Sequence, residues 1–115
     1  AQDWFVNAVF EIRTALNPHQ LLNVLKKIEI RQGRAKDQIR YGPRILDMDI
    51  ILYHRLVLKT PHLTIPHPQM HKRRFVLQPV CDIDPHIKHP VLGRTVQSLL
   101  QDLDETEQRI IYLDD

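Results

Sequence analysis

Gly42-Pro43-Arg44-Ile45-Leu46-Asp47-Met48-Asp49-Ile50-Ile51-Leu52-Tyr53 is the stretch on which the reading of this chain turns. Gly42-Pro43 punctuates the backbone, and Ile45 to Tyr53 then reads as a strongly apolar strand interrupted by two carboxylates. Period-two alternation puts Leu46, Met48, Ile50 and Leu52 on one face. It points Asp47 and Asp49 out of the other, with Cα atoms about 6.5–7 Å apart. A solvent-exposed strand face is the plain explanation of such a pair. The apolar flanks argue for more, because two acids among Ile45-Leu46 and Ile50-Ile51-Leu52 are costly to bury unless a cation neutralises them. Paired carboxylate oxygens with few other protein ligands suit Mg²⁺, which keeps water and completes its shell with nucleotide phosphates.

The elements on either side fix the fold class. Trp4 to Ile12 alternates, with Trp4, Val6, Ala8, Phe10 and Ile12 on one face, and reads as a half-buried strand. Asn17-Pro18 supplies a cap and a first helical residue, and Leu21, Leu25 and Ile28 recur at helical spacing, which predicts a helix over 18–29. Gln32-Gly33 is expected to stop it and to open a mobile basic loop up to Tyr41. Arg55 to Lys59 reads as a short strand paired to 45–53, and the three prolines Pro61, Pro66 and Pro68 argue against regular structure between 60 and 68. Arg73 to Val80 reads as a further strand ending at Pro79. Pro85 to Gly93 reads as loop. Thr95 can cap a helix carrying Val96, Leu99, Leu100 and Leu103, and Arg109 to Leu113 can form a last strand. Strands interleaved with two helices predict an α+β sandwich, one mostly antiparallel sheet with helices on one face and a polar pocket on the other.

Composition narrows the chemistry. With 115 residues, 43% apolar and 26% charged, the chain has the size of one domain. It contains no apolar run of the roughly 20 residues that span a bilayer, which leads to the expectation of a cytoplasmic protein. One cysteine, Cys81, allows neither an internal disulfide nor a thiolate zinc site and is expected to be a buried or idle thiol. The seven histidines show no HExxH spacing. Three glycines at 33, 42 and 93 cannot make a phosphate-cradling P-loop.

The formal charge of +2 is that of no strongly basic nucleic-acid binder, yet Lys26, Lys27, Arg31, Arg34, Lys36, Arg40 and Arg44 crowd one stretch. His71-Lys72-Arg73-Arg74 adds a second knot. Either run can be a solvated face. Set beside the aspartates, they form the combination of divalent ions and guanidinium forks that neutralises charge in phosphoryl transfer. RNA binding fits poorly, because among the few aromatics only Tyr41 and Phe75 are interleaved with basic residues.

Two segments, Gly42-Pro43-Arg44-Ile45-Leu46-Asp47-Met48-Asp49-Ile50 and Ile65-Pro66-His67-Pro68-Gln69-Met70-His71-Lys72-Arg73-Arg74-Phe75-Val76-Leu77, in this order and at this separation, resemble the 6-hydroxymethyl-7,8-dihydropterin pyrophosphokinases of folate biosynthesis. Phe5-Val6-Asn7-Ala8 is similar to the family's pterin-side strand, and the likeness runs from about Trp4 to near Leu103. The resemblance implies a ferredoxin-like α+β fold and an ATP- and Mg²⁺-dependent transferase. Its reaction would move the β,γ-pyrophosphoryl group of ATP to the pterin hydroxymethyl oxygen and release AMP.

The resemblance also assigns roles. Asp47 and Asp49 would bind two Mg²⁺ ions, and Arg34 and Arg44 would contact phosphates, with Lys36 on the nucleotide where an arginine is common. His67 and Arg73 would hold the nucleotide near its α-phosphate, and Thr64 would lie near the adenosine. Asn7 would hydrogen-bond the pterin, Phe75 would stack on it, and Tyr41 would be the closing loop's aromatic. Because the family opens with a strand, a glycine-containing turn, a helix and most of another strand ahead of Ala1, the resemblance implies a single domain over 1–115 truncated at its N-terminus. It would be a monomer or homodimer with an open sheet edge that a second chain can cover. A fragment or inactive descendant that only binds a nucleotide or a partner is the alternative.

Overall fold

The computed structural model describes residues 7–36 and 47–103. Asn17 starts the long helix α1 (Pro18–Lys36) through a reciprocal cap. Its side-chain oxygen accepts from Gln20 N–H at 2.9 Å, and the Gln20 side chain accepts from Asn17 N–H at 3.0 Å. Pro18 at the first helical position forfeits an N–H that would have no helical partner in any case. The helix passes through Gly33 instead of stopping there. A mid-helix glycine costs only about 1 kcal/mol, and flanking Ile30-Arg31-Gln32 and Arg34-Ala35-Lys36 carry the helix across it. Arg34 and Lys36 therefore belong to the last turn of a helix and not to a loop.

Strand β1 (Leu58–Lys59) pairs antiparallel with β2 (Thr64–Ile65), Leu58 opposite Ile65 and Lys59 opposite Thr64. The expected pairing of 55–59 with 45–53 is thus replaced by a hairpin inside the proline-rich stretch. Pro61 occupies its turn and Pro66 follows β2, so the strand residues Thr64 and Ile65 keep the N–H groups that pairing needs. Thr60 closes the turn: its N–H donates to Leu63 O at 2.9 Å, and its hydroxyl accepts from Leu63 N–H at 3.0 Å. The Ile65–Pro66 peptide is cis.

After a 3-10 turn at Met70–Lys72 comes α2 (Arg74–Ile83), where a strand was expected. Val76, Leu77 and Val80 are buried, spaced as one helical stripe. The local β preference of Phe75-Val76-Leu77 is overridden by packing against α3 (Val96–Gln101), and Pro79 sits inside the helix at the loss of one backbone bond. The expected cap and start of α3 hold, with the Thr95 side chain accepting from Ser98 N–H at 3.1 Å, but the helix ends at Gln101 and Leu103 lies beyond it. The predicted loop after Pro85 is a series of turns joined by a Lys88–Thr95 bridge, with Gly93 at φ 69°.

Two apolar clusters result. Leu21, Ile50, Leu63 and Ile65 form one, between α1 and the hairpin. Met70, Val76, Leu77, Val80, Val96 and Leu99 form the other, between the helices. Residues 47–53, expected as a strand, run between them without ladder pairing among the described residues. Ile50 and Tyr53 pack into the first cluster, and Ile51 and Leu52 into the second. Burial from two sides explains why this run is apolar at successive positions, as central strands are.

The described part of the expected Trp4–Ile12 strand, residues 7–12, has no regular structure. Its face assignment is also reversed: Phe10 and Ile12 are 80% and 56% exposed, while Val9 packs against the helical cluster. Without a neighbouring strand to complete the ladder, alternation alone does not decide which face is buried. The start of that strand at 4–6, the basic stretch 37–46 and the expected strand at 109–113 lie outside the described residues. Among the described residues the architecture is α+β, three α-helices with a two-stranded antiparallel sheet. No helix among the described residues is long and apolar enough to cross a membrane.

Candidate functional site

Asp47 and Asp49 are exposed on either side of half-buried Met48, and Ile50 turns into the core. Both carboxylates are exposed, while the strand that was expected to present them is not formed by residues 47–53. Asp49 lines a cleft of about 280 Å³ together with Lys26 of α1, Thr64 of β2, and Leu63, His62 and His67. The hairpin brings Thr64 there, and the turn that follows brings His67, whose N–H donates to Ile51 O at 2.9 Å. That bond ties the histidine to the aspartate-bearing segment.

His67 is oriented further by its ring. Its Nδ1 accepts from Gln69 N–H at 3.1 Å, which leaves Nε2 as the protonated, donating nitrogen of the neutral tautomer. Burial pushes its pKa below 6.5, nearby Asp49 opposes that shift, and Arg73 adds to it. Arg73 stands at the N-cap of α2 with its guanidinium carbon 5.7 Å from the centroid of the Phe75 ring, and that ring is 40% exposed.

Four of the residues singled out in the sequence thus fall in one neighbourhood: Asp49, Thr64 and His67 at the cleft, and Arg73 within electrostatic reach of His67; Asp47 is exposed two positions before Asp49. Phe75 is instead paired with Arg73, and Asn7 is exposed ahead of α1. Arg44 and Tyr41 lie outside the described residues.

Sequence reasoning missed Lys26 and His62 as cleft residues. Lys26 was visible as one charge in a basic run, but the signal lay in helical spacing: Leu22, Lys26 and Glu29 share one face of α1, and Leu22 and Lys26 both line the cleft. Cys81 packs half-buried against the helical cluster. Burial and then Asp82 push its thiol pKa up, opposite to an activated nucleophile.

The donor chemistry fits Mg²⁺. Two exposed carboxylates offer hard oxygen ligands, and among the described residues no group of three or more His, Cys, Asp or Glu forms a closed cage. An open set of this kind is the arrangement of an ion that retains water and takes phosphate oxygens. Lys26 and the His67 N–H stand at the same cleft as donors suited to a polyanion.

The model of the family described as 7,8-dihydro-6-hydroxymethylpterin-pyrophosphokinase matches residues 1–85. The chain is 46% identical over 98 residues to a folic acid synthesis protein of Dictyostelium discoideum, covering 85% of this chain and 15% of that protein. It is 44% identical over 99 residues to a 2-amino-4-hydroxy-6-hydroxymethyldihydropteridine pyrophosphokinase of Pseudomonas aeruginosa, covering 86% of this chain and 60% of the relative. With the enzyme of that name from Bacillus subtilis it shares 44% identity over 82 residues, 71% of this chain and 48% of the relative. The chain therefore spans about half the length of these bacterial relatives. The match over most of its length shows that this chain belongs to the 7,8-dihydro-6-hydroxymethylpterin-pyrophosphokinase family.

Proposed function

We propose that this chain transfers the β,γ-pyrophosphoryl group of ATP to the hydroxymethyl oxygen of 6-hydroxymethyl-7,8-dihydropterin, releasing AMP, as a step of folate biosynthesis. The cleft in which Asp49, Thr64, His67 and Lys26 meet carries this reading, because it sets acidic oxygens against donors for a polyphosphate. In the reaction the hydroxymethyl oxygen bonds to the β-phosphorus, the bond from that phosphorus to the α,β-bridging oxygen breaks, and the bridging oxygen leaves on AMP. The hydroxyl proton goes to solvent. Mg²⁺, two ions in this reading, supplies charge neutralisation across the phosphates when held by Asp47 and Asp49.

The protein's own contribution is alignment. His67 donates from Nε2 and Arg73 through its guanidinium, both toward the nucleotide near its α-phosphate, while Thr64 sits by the adenosine. Arg34, Lys36 and Arg44 bind phosphates, and Tyr41 contributes an aromatic ring to substrate binding. Asn7 hydrogen-bonds the pterin and Phe75 stacks on it. In the same reading residues 1–115 form one pyrophosphokinase domain of ferredoxin-like topology, a cytoplasmic monomer or homodimer whose open sheet edge a second chain can cover.

Incubating the chain with ATP, Mg²⁺ and the pterin alcohol tests the reaction. AMP and the pterin diphosphate are expected in equal amounts, and both are expected to vanish in Asp47→Asn and Asp49→Asn. Production of ADP, or no AMP from the unmodified chain, overturns the transfer.

A further inference from the structure

The aspartate-bearing segment is held by a side chain and not by a strand. Met48, the residue between the two carboxylates, donates its backbone N–H to Glu29 Oε1 of α1 at 2.6 Å. Such a short bond to an ionised acceptor is among the stronger hydrogen bonds a backbone can make. Glu29 is itself fixed: Lys26 Nζ, one helical turn earlier, lies 3.2 Å from its Oε2 and 3.4 Å from its Oε1. The Glu29 side chain is only 10% exposed, so water competes poorly for it. Lys26 also lines the cleft beside Asp49.

We infer that Glu29 is a positioning residue for the Asp47–Asp49 pair: by accepting the Met48 N–H it fixes the peptide plane between the two aspartates and so holds both carboxylates toward the shared Mg²⁺ site. This inference rests on the proposed Mg²⁺-nucleotide reading. The geometric reason is that in an extended segment each N–H lies in the plane of the segment, successive ones pointing to opposite edges, while the side chains stand perpendicular to that plane and alternate between faces. Anchoring the Met48 N–H to α1 therefore sets the rotation of the segment about its own axis, and with it the direction of residues 47 and 49 together. Partners that orient ligands in this way are worth roughly 10–100-fold in metal affinity in other metal sites.

Two conservative variants separate reach from charge. Glu29→Gln keeps the length and an oxygen acceptor for Met48 but loses the charge facing Lys26. Glu29→Asp keeps the charge but withdraws the acceptor by one methylene. Two quantities are read on the whole chain: the Mg²⁺ concentration that half-saturates binding of an unreactive ATP analogue, and the hydrogen exchange of the Met48 amide without metal. Positioning predicts that Glu29→Asp raises the half-saturating Mg²⁺ about tenfold and loses Met48 protection, whereas Glu29→Gln stays within about threefold and keeps it. Equal effects of the two variants, the reverse order, or no change in either overturns the inference. Absence of Mg²⁺-dependent binding by the unmodified chain is a different failure, since it overturns the Mg²⁺-nucleotide reading itself and the positioning role with it.

Discussion

The two apolar clusters are held together in different ways. Around Met70, Val76, Leu77, Val80, Val96 and Leu99 the walls are helices, which satisfy most of their own backbone groups and need each other only for burial. Around Leu21, Ile50, Leu63 and Ile65 only α1 is of that kind. The rest is a two-residue ladder and a segment without ladder pairing among the described residues, kept in place by single hydrogen bonds: Glu29 on Met48 N–H, His67 N–H on Ile51 O, the Tyr53 hydroxyl donating to Leu16 O at 2.6 Å, and Thr60 on Leu63. The cleft that Asp49 lines lies on this second side. The contrast teaches that here the functional groups sit on chain segments held by specific polar bonds, while the part that is apolar and self-sufficient serves as ballast.

If that division is real, changes on the two sides must separate binding from stability. The largest effect is expected for the double variant Asp47→Ala with Asp49→Ala, which should abolish Mg²⁺-dependent binding of an ATP analogue. Both residues are exposed, so unfolding by denaturant should move by no more than about 0.5 kcal/mol. A large loss of stability in that variant would break the contrast.

The opposite change lies in the helical cluster. Leu77 is fully buried between α2 and α3, and Leu77→Ala should cost about 2–5 kcal/mol in denaturant unfolding. The protein that remains folded should bind nucleotide with unaltered affinity, as titration at low temperature would show. A milder case on the same side is Thr95→Ala, which removes the α3 cap and should cost about 1 kcal/mol, again without effect on nucleotide binding.

The smallest effect is one of pH. His89 is 4% exposed in the turn before α3, and its Nδ1 accepts from Leu92 N–H at 3.0 Å and Val91 N–H at 3.2 Å. Burial, and then the neighbouring His71 ring 6.0 Å away, push its pKa below 6.5. The unfolded chain therefore takes up a proton at this site more readily than the folded one. Its contribution is complete above pH 6.5 and declines as pH falls from there toward the lowered native value. Urea unfolding between pH 7.5 and 5.5 should show that decline, and His89→Gln, which keeps an acceptor but cannot titrate, should flatten it. His67 has the same sign on the cleft side, so part of the slope should survive in that variant.

What the sequence could disclose follows from the range of the forces involved. The starts of α1 and α3 were readable because their signals are local: Asn17-Pro18 and Gln20 cap each other's neighbourhood, and Thr95 precedes Val96 and Leu99 at helical spacing. The nature of α2 was hidden by a conflict between Phe75-Val76-Leu77, which favours a strand locally, and a buried stripe that only α3 makes worthwhile. The end of α1 was misread because Gly33 is a stop signal only where no helix-forming sequence follows it. At the site, Asp47 and Asp49 stood out as acids in an apolar run, and His67 and Thr64 came through the family resemblance. Lys26 and Glu29 did not, because their relation to residues 48 and 49 exists only once α1 has packed against a segment some nineteen positions further along the chain.

Calorimetric titration of the unmodified chain with an unreactive ATP analogue, in Mg²⁺ and then in EDTA, bears most directly on the claim that the paired aspartates hold a divalent ion against a nucleotide. Saturable binding is predicted in Mg²⁺, weakened at least tenfold in EDTA and in the double aspartate variant. Isotherms that do not change with Mg²⁺, or that survive loss of both carboxylates, would contradict it.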